Sequence, residues 1–214
     1  MNKLPPVVLP KIEFNREFAF SDADFERIRK LIYKEAGIAL NPSKKDMVYG
    51  RLVRRIRELK LPGFAAYVDF LESAGGKREF EQFVNALTTN LTFFFREEHH
   101  FPILSEHLKK KAAASGELSI WCAAASTGEE PYSLAITALE AFPGMTKPNI
   151  SVLATDLDTS VLETGRKGIY PADKIARLPA GHAVKYFDKL PDGSYQAKPA
   201  LRNMITFQRL NLVE

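Results

Sequence analysis

The stretch that decides the fold reads LSIWCAAASTGEEPYSL and occupies residues 118–134. Its first five residues form a short apolar strand, small residues fill positions 123–128, and a helix is predicted from Tyr132 to Phe142. Pro131 suits the first turn of a helix, where a missing N–H costs nothing. Small side chains let a ligand approach the backbone, and the opening amides of the helix are unpaired donors. The corner between strand and helix therefore predicts a small-ligand site.

The charge at this corner indicates what kind of ligand it takes. In dinucleotide folds a corner of this kind binds a phosphate. Here Glu129 and Glu130 stand at the opening of the helix, and two carboxylates disfavour a phosphate and favour a cationic group. S-adenosylmethionine carries an ammonium and a sulfonium group and fits that requirement.

A second predicted strand, residues 150–155, follows the helix and ends at Asp156. The two strands and the helix complete a β-α-β unit. An acidic residue directly after the second strand of such a unit can accept hydrogen bonds from both ribose hydroxyls, so Asp156 is predicted to bind the ribose. The pattern alone leaves another interpretation open: an ordinary parallel-sheet unit with a solvated glutamate pair and a helix-capping aspartate. No G-x-G-x-x-G motif is present.

Composition is typical of a globular protein. The 214 residues are 45% hydrophobic and 26% charged, which argues against wholesale disorder. The single cysteine, Cys122, excludes an intrachain disulfide and is expected to be a buried hydrophobic residue rather than a catalytic thiol. We find neither an apolar run of membrane-spanning length nor a signal-peptide core in residues 1–10, so we expect a cytoplasmic protein without direct membrane insertion.

The N-terminal part of the chain is predicted to be helical. Prolines at 5, 6 and 10 indicate an arm over residues 1–20. Between residues 21 and 88, apolar residues recur at helical spacing in four segments separated by glycine or proline. This pattern predicts a small domain of four helices.

The second of these helices carries a cluster of arginines. Arg51, Arg54 and Arg55 lie on one side with Arg57 near its edge, whereas the apolar residues lie on the opposite side. A solvated charged face is the ordinary interpretation of such a pattern. The other interpretation is a docking surface for an acidic partner, because the arginine fork suits carboxylates.

Three segments of the chain resemble one family closely. They are TNLTFFFREEHHFP at 89–102, AAASTGEEPYS at 123–133, and ATDLDT at 154–159 followed by GIY at 168–170. The resemblance extends to residues 47–52 and 210–212 and covers nearly the whole chain. The family is that of the CheR chemotaxis receptor methyltransferases. Its members use S-adenosylmethionine, which becomes S-adenosylhomocysteine, to methylate glutamate side chains of bacterial chemoreceptors.

The resemblance implies an α+β two-domain fold. A small all-α domain at 21–88 would dock the receptor. It would be followed at 89–214 by an α/β Rossmann-like S-adenosylmethionine-dependent methyltransferase domain, with a small β subdomain inserted at about 169–203. A turn signal at 191–194 predicts a hairpin there. Its short connection favours a member that does not bind the receptor's tethering pentapeptide.

The family pattern continues beyond Glu214, so the resemblance implies a catalytic domain that is C-terminally incomplete here. A sheet without its later strands is expected to expose an edge. The alternative function is therefore a noncatalytic receptor- or S-adenosylmethionine-binding fragment.

The resemblance also assigns site residues. Arg96 is the expected catalytic residue, and it would orient the acceptor carboxylate rather than activate it. The methyl-accepting cytoplasmic helices of chemoreceptors are the expected partner, with Arg51, Arg54, Arg55 and Arg57 as docking residues. The expected cofactor-binding residues are Asn90, Thr92, Arg96, Glu129, Glu130, Asp156, Asn211 and Leu212.

Less specific interpretations remain for several of these residues. Arg96 could form a surface ion pair with a neighbouring glutamate, and Asn90 could cap a helix. The histidines at 99, 100 and 107 lack metal-binding spacing, so no metal is expected. A pI near 9.1 attracts polyanions, but a net charge of +4 is modest. Amino-group methyltransferases carry an Asn or Asp before a Pro-Pro pair and an aromatic residue after it, whereas the only such pair here, Pro5-Pro6, lies between Leu4 and Val7. No nucleic acid is therefore expected as a partner.

Overall fold

The computed structural model describes residues 16–115, 117–144 and 149–213. Most of the predicted N-terminal arm, residues 1–15, lies outside this part of the chain. The remaining residues of the arm pack on the helices that follow: Phe20 is buried in their core and Glu17 forms an ion pair with Arg57.

The predicted four helices are present. Helix α1 begins with a capping box, in which the Ser21 side chain accepts from the Asp24 amide and the Asp24 carboxylate accepts from the Ser21 amide. It ends at Gly37, whose φ of 65° is left-handed, as glycine permits. The bounds are α1 Asp22–Ala36, α2 Lys45–Glu58, α3 Phe64–Glu72 and α4 Lys77–Leu87. Short 3₁₀ turns, Pro42–Lys44 and Ala74–Gly76, precede α2 and α4.

These helices enclose one apolar core. Each contributes apolar residues at helical spacing to this core. On α2, Val48, Leu52 and Ile56 are fully buried, so the apolar face of the arginine-bearing helix packs inward. A second and separate core begins at Phe94, beyond the linker that follows α4.

The second part of the chain alternates helices and strands. Its first helix is α5, His100–Ser115. The β-α-β unit follows as β1 Leu118–Cys122, α6 Glu129–Ala141 and β2 Ile150–Asp156, and then comes α7, Thr159–Lys167. Helix α6 begins three residues earlier than the sequence predicts, because Gly128 with its φ of 96° serves as the N-cap and both glutamates lie inside the first turn.

The small β subdomain comes next. Its elements are β3 Ile169–Tyr170, α8 Ala172–Ile175, α9 His182–Tyr186, β4 Phe187–Lys189, β5 Tyr195–Ala197 and α10 Pro199–Arg202. Strand β5 pairs antiparallel with both β3 and β4. The predicted hairpin is therefore confirmed, with its turn over residues 190–194.

The chain then returns to the main sheet as β6, Ile205–Arg209. Strand β2 lies at the centre of this sheet and pairs in parallel with β1 on one side and β6 on the other. All three carboxyl ends therefore meet at one edge, where ligands bind in open α/β sheets. This arrangement confirms the Rossmann-like architecture that the family resemblance implies.

Within the described residues, β1 forms an open edge of the main sheet. Trp121, on this strand, is 56% exposed, and Leu153 on β2 is also exposed. In the described ranges, no helix is both long and apolar enough to cross a membrane.

Candidate functional site

A cleft of about 160 Å³ lies at the carboxyl ends of the three parallel strands. We call it the cofactor cleft. Its lining is contributed by the turn after β1, the residues that follow β2 and β6, and the end of α1. The lining residues are Ala36, Ala123, Ala124, Asp156, Leu157, Leu210, Asn211, Leu212 and Val213.

The turn after β1 is shaped by its small residues. The Ala125 amide donates to the Thr155 carbonyl at 2.8 Å, which ties the turn to β2. Ser126 has a φ of 48°, a conformation that is uncommon and strained for a residue other than glycine. Its amide donates to the Asp156 carboxylate at 2.8 Å. The turn and the carboxylate therefore hold each other in place.

Asp156 is half-buried at the end of β2, and both of its oxygens accept backbone bonds. Oδ2 accepts from the Ser126 amide, and Oδ1 accepts from the Asp158 amide at 3.0 Å. A carboxylate oxygen has two lone-pair sites, so each oxygen can accept one further donor. Asp156 is thus fixed in orientation and retains the capacity to accept from a diol, as its predicted role requires.

Asn211 and Leu212 form the other wall of the cleft. The Asn211 side-chain amide donates to the Glu35 carbonyl at 3.0 Å, which joins this wall to the end of α1. Leu212 is exposed. The wall offers an apolar surface next to an amide group, a combination that suits a heterocyclic base.

Glu129 does not fit its predicted role in binding cofactor. Its side chain is fully buried, and its carboxylate accepts from the Thr127 hydroxyl at 2.5 Å and from the Lys174 ammonium. Lys174 belongs to α8, so the ion pair joins the start of α6 to the β subdomain. We therefore reassign Glu129 from ligand contact to a structural anchor, because a carboxylate without exposed surface cannot reach a ligand.

Glu130, unlike Glu129, is not buried. It is exposed at the start of α6, and its carboxylate lies beside the Cys122 thiol. Burial, and next the negative charge of Glu130, raise the pKa of Cys122 to about 12. A thiol with so high a pKa remains protonated near neutral pH and is a poor nucleophile. Cys122 thus fits the structural role expected from the sequence.

The linker of residues 88–96 contains the remaining predicted site residues. The Asn90 side-chain amide donates to the Asp158 carboxylate at 2.7 Å, so Asn90 binds a helix-capping residue and does not itself cap a helix. Thr92 is half-buried. The Arg96 guanidinium donates to the Leu91 carbonyl at 2.8 Å and is otherwise exposed. The structure shows this loop closure rather than an ion pair with Glu97 or Glu98.

The chain turns sharply around Arg96. Phe95 and Glu97, on either side of it, have φ values of 55° and 54°, and Phe94 is buried against Tyr170 and Phe187. Left-handed residues other than glycine are costly and cluster at functional sites. The turn projects Arg96 outward from a firmly packed anchor, with most of its donors unused.

The four arginines of α2 do not form a single open face. Arg51 donates to the Leu87 and Thr88 carbonyls at 3.0 and 2.6 Å, so it caps the end of α4. The side chain of Arg55 is only 18% exposed, because it is paired with Glu79 through two hydrogen bonds. The hydrogen bond to Glu79 also raises the pKa of Arg55. These two arginines stabilise the helical domain, which corrects the idea of a shared docking surface.

Arg54 and Arg57 remain accessible. The side chain of Arg54 is 79% exposed and that of Arg57 is 55% exposed, with partners Glu58 and Glu17. Exposed ion pairs of this kind contribute little stability and exchange readily for another carboxylate. We therefore keep only Arg54 and Arg57 as predicted receptor-docking residues.

The structure brings three of the predicted site residues together, since Asp156, Asn211 and Leu212 line the cofactor cleft. The roles of Asn90, Thr92, Arg96 and Glu130 stay predictions. Sequence reasoning did not assign a role to Asp158 or Lys174. The sequence does contain a signal that Glu129 is buried. Glu129 precedes the buried Tyr132 and Ser133 by three and four positions, so all three lie on the inward face of α6.

A larger groove of about 660 Å³ lies between α1, α3 and α4 and shares Leu157 with the cofactor cleft. Charges of both signs line it, and Glu72 and Glu81 already bind Arg27 and Thr159. It has no turn of small residues through which a ligand could reach the backbone. Within the described ranges, no three potential metal ligands come together.

The cofactor cleft fits the nucleoside end of S-adenosylmethionine. Asp156 supplies the acceptors for a ribose diol, and Leu157 and Leu212 offer apolar flanks for a base. The alanines at 123 and 124 permit close approach to the backbone.

Comparisons with known proteins match both parts of the chain to one family. The CheR methyltransferase SAM-binding domain matches residues 90–214, and the CheR methyltransferase all-alpha domain matches residues 23–88. A chemotaxis protein methyltransferase of Salmonella typhimurium is 46% identical over 206 residues, covering 95% of this chain and 70% of the relative. One from Escherichia coli is 44% identical, with 94% and 70% covered. Chemotaxis protein methyltransferase 2 of Pseudomonas aeruginosa is 42% identical, with 94% and 71% covered.

Proposed function

The chain belongs to the CheR methyltransferase family and is an S-adenosylmethionine-dependent methyltransferase, and we propose that it esterifies glutamate side chains on the cytoplasmic helices of bacterial chemoreceptors. The observation that supports this most directly is the cofactor cleft, where a fixed carboxylate, a turn of small residues and an apolar wall meet at the carboxyl ends of the strands. In the reaction, a carboxylate oxygen of the substrate takes the methyl group from the sulfonium, and a neutral methyl ester and S-adenosylhomocysteine result.

The reaction requires little acid or base from the protein. A glutamate side chain has a reference pKa near 4.3 and is already an anion at pH 7. The protein must instead hold the carboxylate in line with the methyl group and limit its hydration. Arg96 supports the first of these tasks, since its guanidinium is exposed, is held at one end by the Leu91 carbonyl and has further donors for a carboxylate. Too tight an ion pair would weaken the nucleophile, so we assign Arg96 to orientation.

Paired measurements of cofactor binding and methyl transfer test this function. We expect the chain to bind S-adenosylmethionine at micromolar concentration in calorimetry and to place a base-labile radiolabelled methyl group on receptor fragments. We expect Arg96→Ala to lower kcat by about thirtyfold while leaving the cofactor Kd within about threefold, because an orienting residue acts on the acceptor. Arg78→Ala, an exposed arginine on α4, is the matched control.

The outcomes of this test are distinct. Unchanged turnover in Arg96→Ala would refute the orienting role. Cofactor binding without any methyl transfer by the wild-type chain would favour the alternative of a noncatalytic binding module. A folded chain that binds no cofactor would contradict the assignment of the cofactor cleft.

Charge reversal on α2 tests where the receptor docks. The accessible guanidinium groups of Arg54 and Arg57 would attract the carboxylates of an acidic helix. We expect Arg54→Glu combined with Arg57→Glu to raise the KM for receptor fragments by about tenfold at low salt, and by much less at high ionic strength. The cofactor Kd should not change.

The control for this prediction reverses a charge elsewhere on the helical domain. Arg78→Glu is accessible and lies on α4. If Arg78→Glu raised the KM for receptor fragments as much as Arg54→Glu alone, the increase in KM would come from net charge alone. A docking surface on α2 would then be excluded.

A further inference from the structure

The β subdomain contacts helix α6 at both of its ends. At the first end, the Lys174 ammonium of α8 pairs with the fully buried Glu129 carboxylate. At the other end, the Lys185 ammonium of α9 pairs with the Glu140 carboxylate at 2.7 Å. At about 1.5 Å per residue, these two glutamates are roughly 16 Å apart along the helix axis. The first contact therefore lies next to the turn after β1, whereas the second lies far from it.

A buried tyrosine of the β subdomain accompanies each ion pair. The Tyr170 hydroxyl donates to the Thr127 carbonyl at 2.8 Å, in the turn after β1. The Tyr186 hydroxyl donates to the Glu140 carboxylate at 2.7 Å. The two ends of α6 are thus held by the same kinds of contact, a lysine ion pair and a tyrosine hydrogen bond.

At the cofactor end, both contacts reach Thr127. Its carbonyl accepts from the Tyr170 hydroxyl, and its own hydroxyl donates to the Glu129 carboxylate. A buried carboxylate is costly unless it is paired and hydrogen-bonded, and Lys174 and Thr127 together meet that need at Glu129. Thr127 is therefore fixed through its backbone and through its side chain.

Thr127 directly follows the residue that holds the proposed ribose ligand. The Ser126 amide donates to the Asp156 carboxylate at 2.8 Å, and Ser126 has a φ of 48°. A left-handed conformation at a residue other than glycine persists only where its surroundings enforce it. The space around the turn is also filled, since a Cβ on Gly128 would lie 2.7 Å from the Tyr170 hydroxyl. The β subdomain thus constrains the turn that orients Asp156.

We propose that Lys174 and Tyr170 are positioning residues for the cofactor. They act through the turn after β1, which orients the Asp156 carboxylate. This inference rests on the cofactor cleft of the proposed function. It does not depend on methyl transfer to glutamate, because cofactor binding alone reports it.

Removing the charge of Lys174 tests the proposal at the ion pair. Lys174→Met leaves the buried Glu129 carboxylate without its cation, which is strongly unfavourable, so the turn bonded to Glu129 should lose its fixed conformation. We expect the Kd for S-adenosylmethionine in calorimetry to rise about tenfold. Lys185→Met, at the other end of α6, is the matched control and should change this Kd by less than about twofold. Equal increases from the two variants, or no increase from Lys174→Met, would overturn the proposal.

A second substitution separates positioning from direct cofactor binding. Glu129→Gln, added to Lys174→Met, removes the unpaired charge, and the amide carbonyl can still accept from the Thr127 hydroxyl. We expect the double variant to return the cofactor Kd to within about threefold of wild type. If Lys174 or Glu129 bound the cofactor itself, the double variant would not regain affinity, and the proposal would be wrong.

The tyrosine contact provides a milder test, should Lys174→Met not fold. Tyr170→Phe removes one hydroxyl and its hydrogen bond to the Thr127 carbonyl. We expect the cofactor Kd to rise about fivefold, since such a bond contributes about 1 kcal/mol. Tyr186→Phe removes the matching hydroxyl at the other end of α6 and should leave the Kd unchanged. The same Kd in both variants would refute the role of Tyr170.

Amide hydrogen exchange tests the same contact without cofactor. The Ser126 and Gly128 amides donate to the Asp156 carboxylate and the Ala125 carbonyl. We expect both amides to exchange faster in Tyr170→Phe and at the wild-type rate in Tyr186→Phe. Wild-type exchange in Tyr170→Phe would contradict the proposal. If the wild-type chain bound no cofactor, the cofactor cleft would be refuted, and with it the positioning role, while faster exchange would still show that Tyr170 holds the turn.

Discussion

Replacing Asp156 by alanine should weaken binding of S-adenosylmethionine by at least about a hundredfold. The carboxylate accepts from the Ser126 and Asp158 amides at 2.8 and 3.0 Å, and we propose that its remaining lone pairs bind the ribose. Hydrogen bonds to a charged group contribute about 1.5–3 kcal/mol each, so losing two ligand bonds and the order of the Ser126 turn exceeds a factor of 100. Calorimetry with S-adenosylmethionine and S-adenosylhomocysteine measures this loss.

A conservative variant, Asp156→Asn, also tests the assignment of Asp156 to the ribose. Asp156→Asn replaces one oxygen with an amide donor. Since both native oxygens accept a backbone N–H, that donor must face either the Ser126 amide or the Asp158 amide. We therefore expect Asp156→Asn to lose nearly as much affinity as the alanine variant. An affinity within about threefold of wild type would contradict the assignment. Asp173→Ala, at an exposed aspartate in the β subdomain, is the control.

Replacing Glu79 by alanine should lower the free energy of unfolding by about 3–5 kcal/mol. Glu79 is 6% exposed and accepts from Arg55 at 2.9 and 2.6 Å and from the Tyr67 hydroxyl at 2.9 Å. Its removal takes two hydrogen bonds from the half-buried Arg55 guanidinium, which keeps only Glu58, and leaves the buried Tyr67 hydroxyl without its acceptor. Urea unfolding of the wild-type and variant chains measures the difference.

Glu58 provides a matched control for this prediction, because it also pairs with Arg55 but is half-exposed. We expect Glu58→Ala to change the free energy of unfolding by less than about 1 kcal/mol, as exposed ion pairs do. Equal losses from the two variants would show that burial does not decide the effect. Replacing Glu79 and Arg55 together by leucine and methionine should recover much of the loss, because no charge then stays unpaired.

These two predictions show how far local patterns identify site residues. Asp156 follows a buried strand in a β-α-β unit, and topology alone brings the end of that strand to the ligand edge of the sheet. Its role could therefore be proposed from sequence. Arg55 and Arg54 are neighbours with the same side chain on the same helix, and the sequence could not tell which is buried. That depends on Glu79, which lies on another helix.

The same limit explains Glu129 and Glu130. Both stand at the start of α6, and adjacent positions differ by about 100° around a helix. The difference turns one carboxylate toward Lys174 in the β subdomain and leaves the other at the surface. A contact with a residue 45 positions further along the chain is not encoded in the local pattern.

The sequence by itself determined the four helices, the β-α-β unit and the hairpin, because each depends on periodicity, capping or turn residues that act over a few positions. The family followed from the resemblance of three segments of the chain. It also placed Asp156 at the ligand edge. Only the tertiary structure decided that Arg51 and Arg55 brace the helical domain, that Glu129 anchors the β subdomain and that Asp158 joins the linker to α7. Each of these roles depends on the burial of a charge, and a charge is buried only where distant segments supply the hydrogen bonds that compensate for lost water.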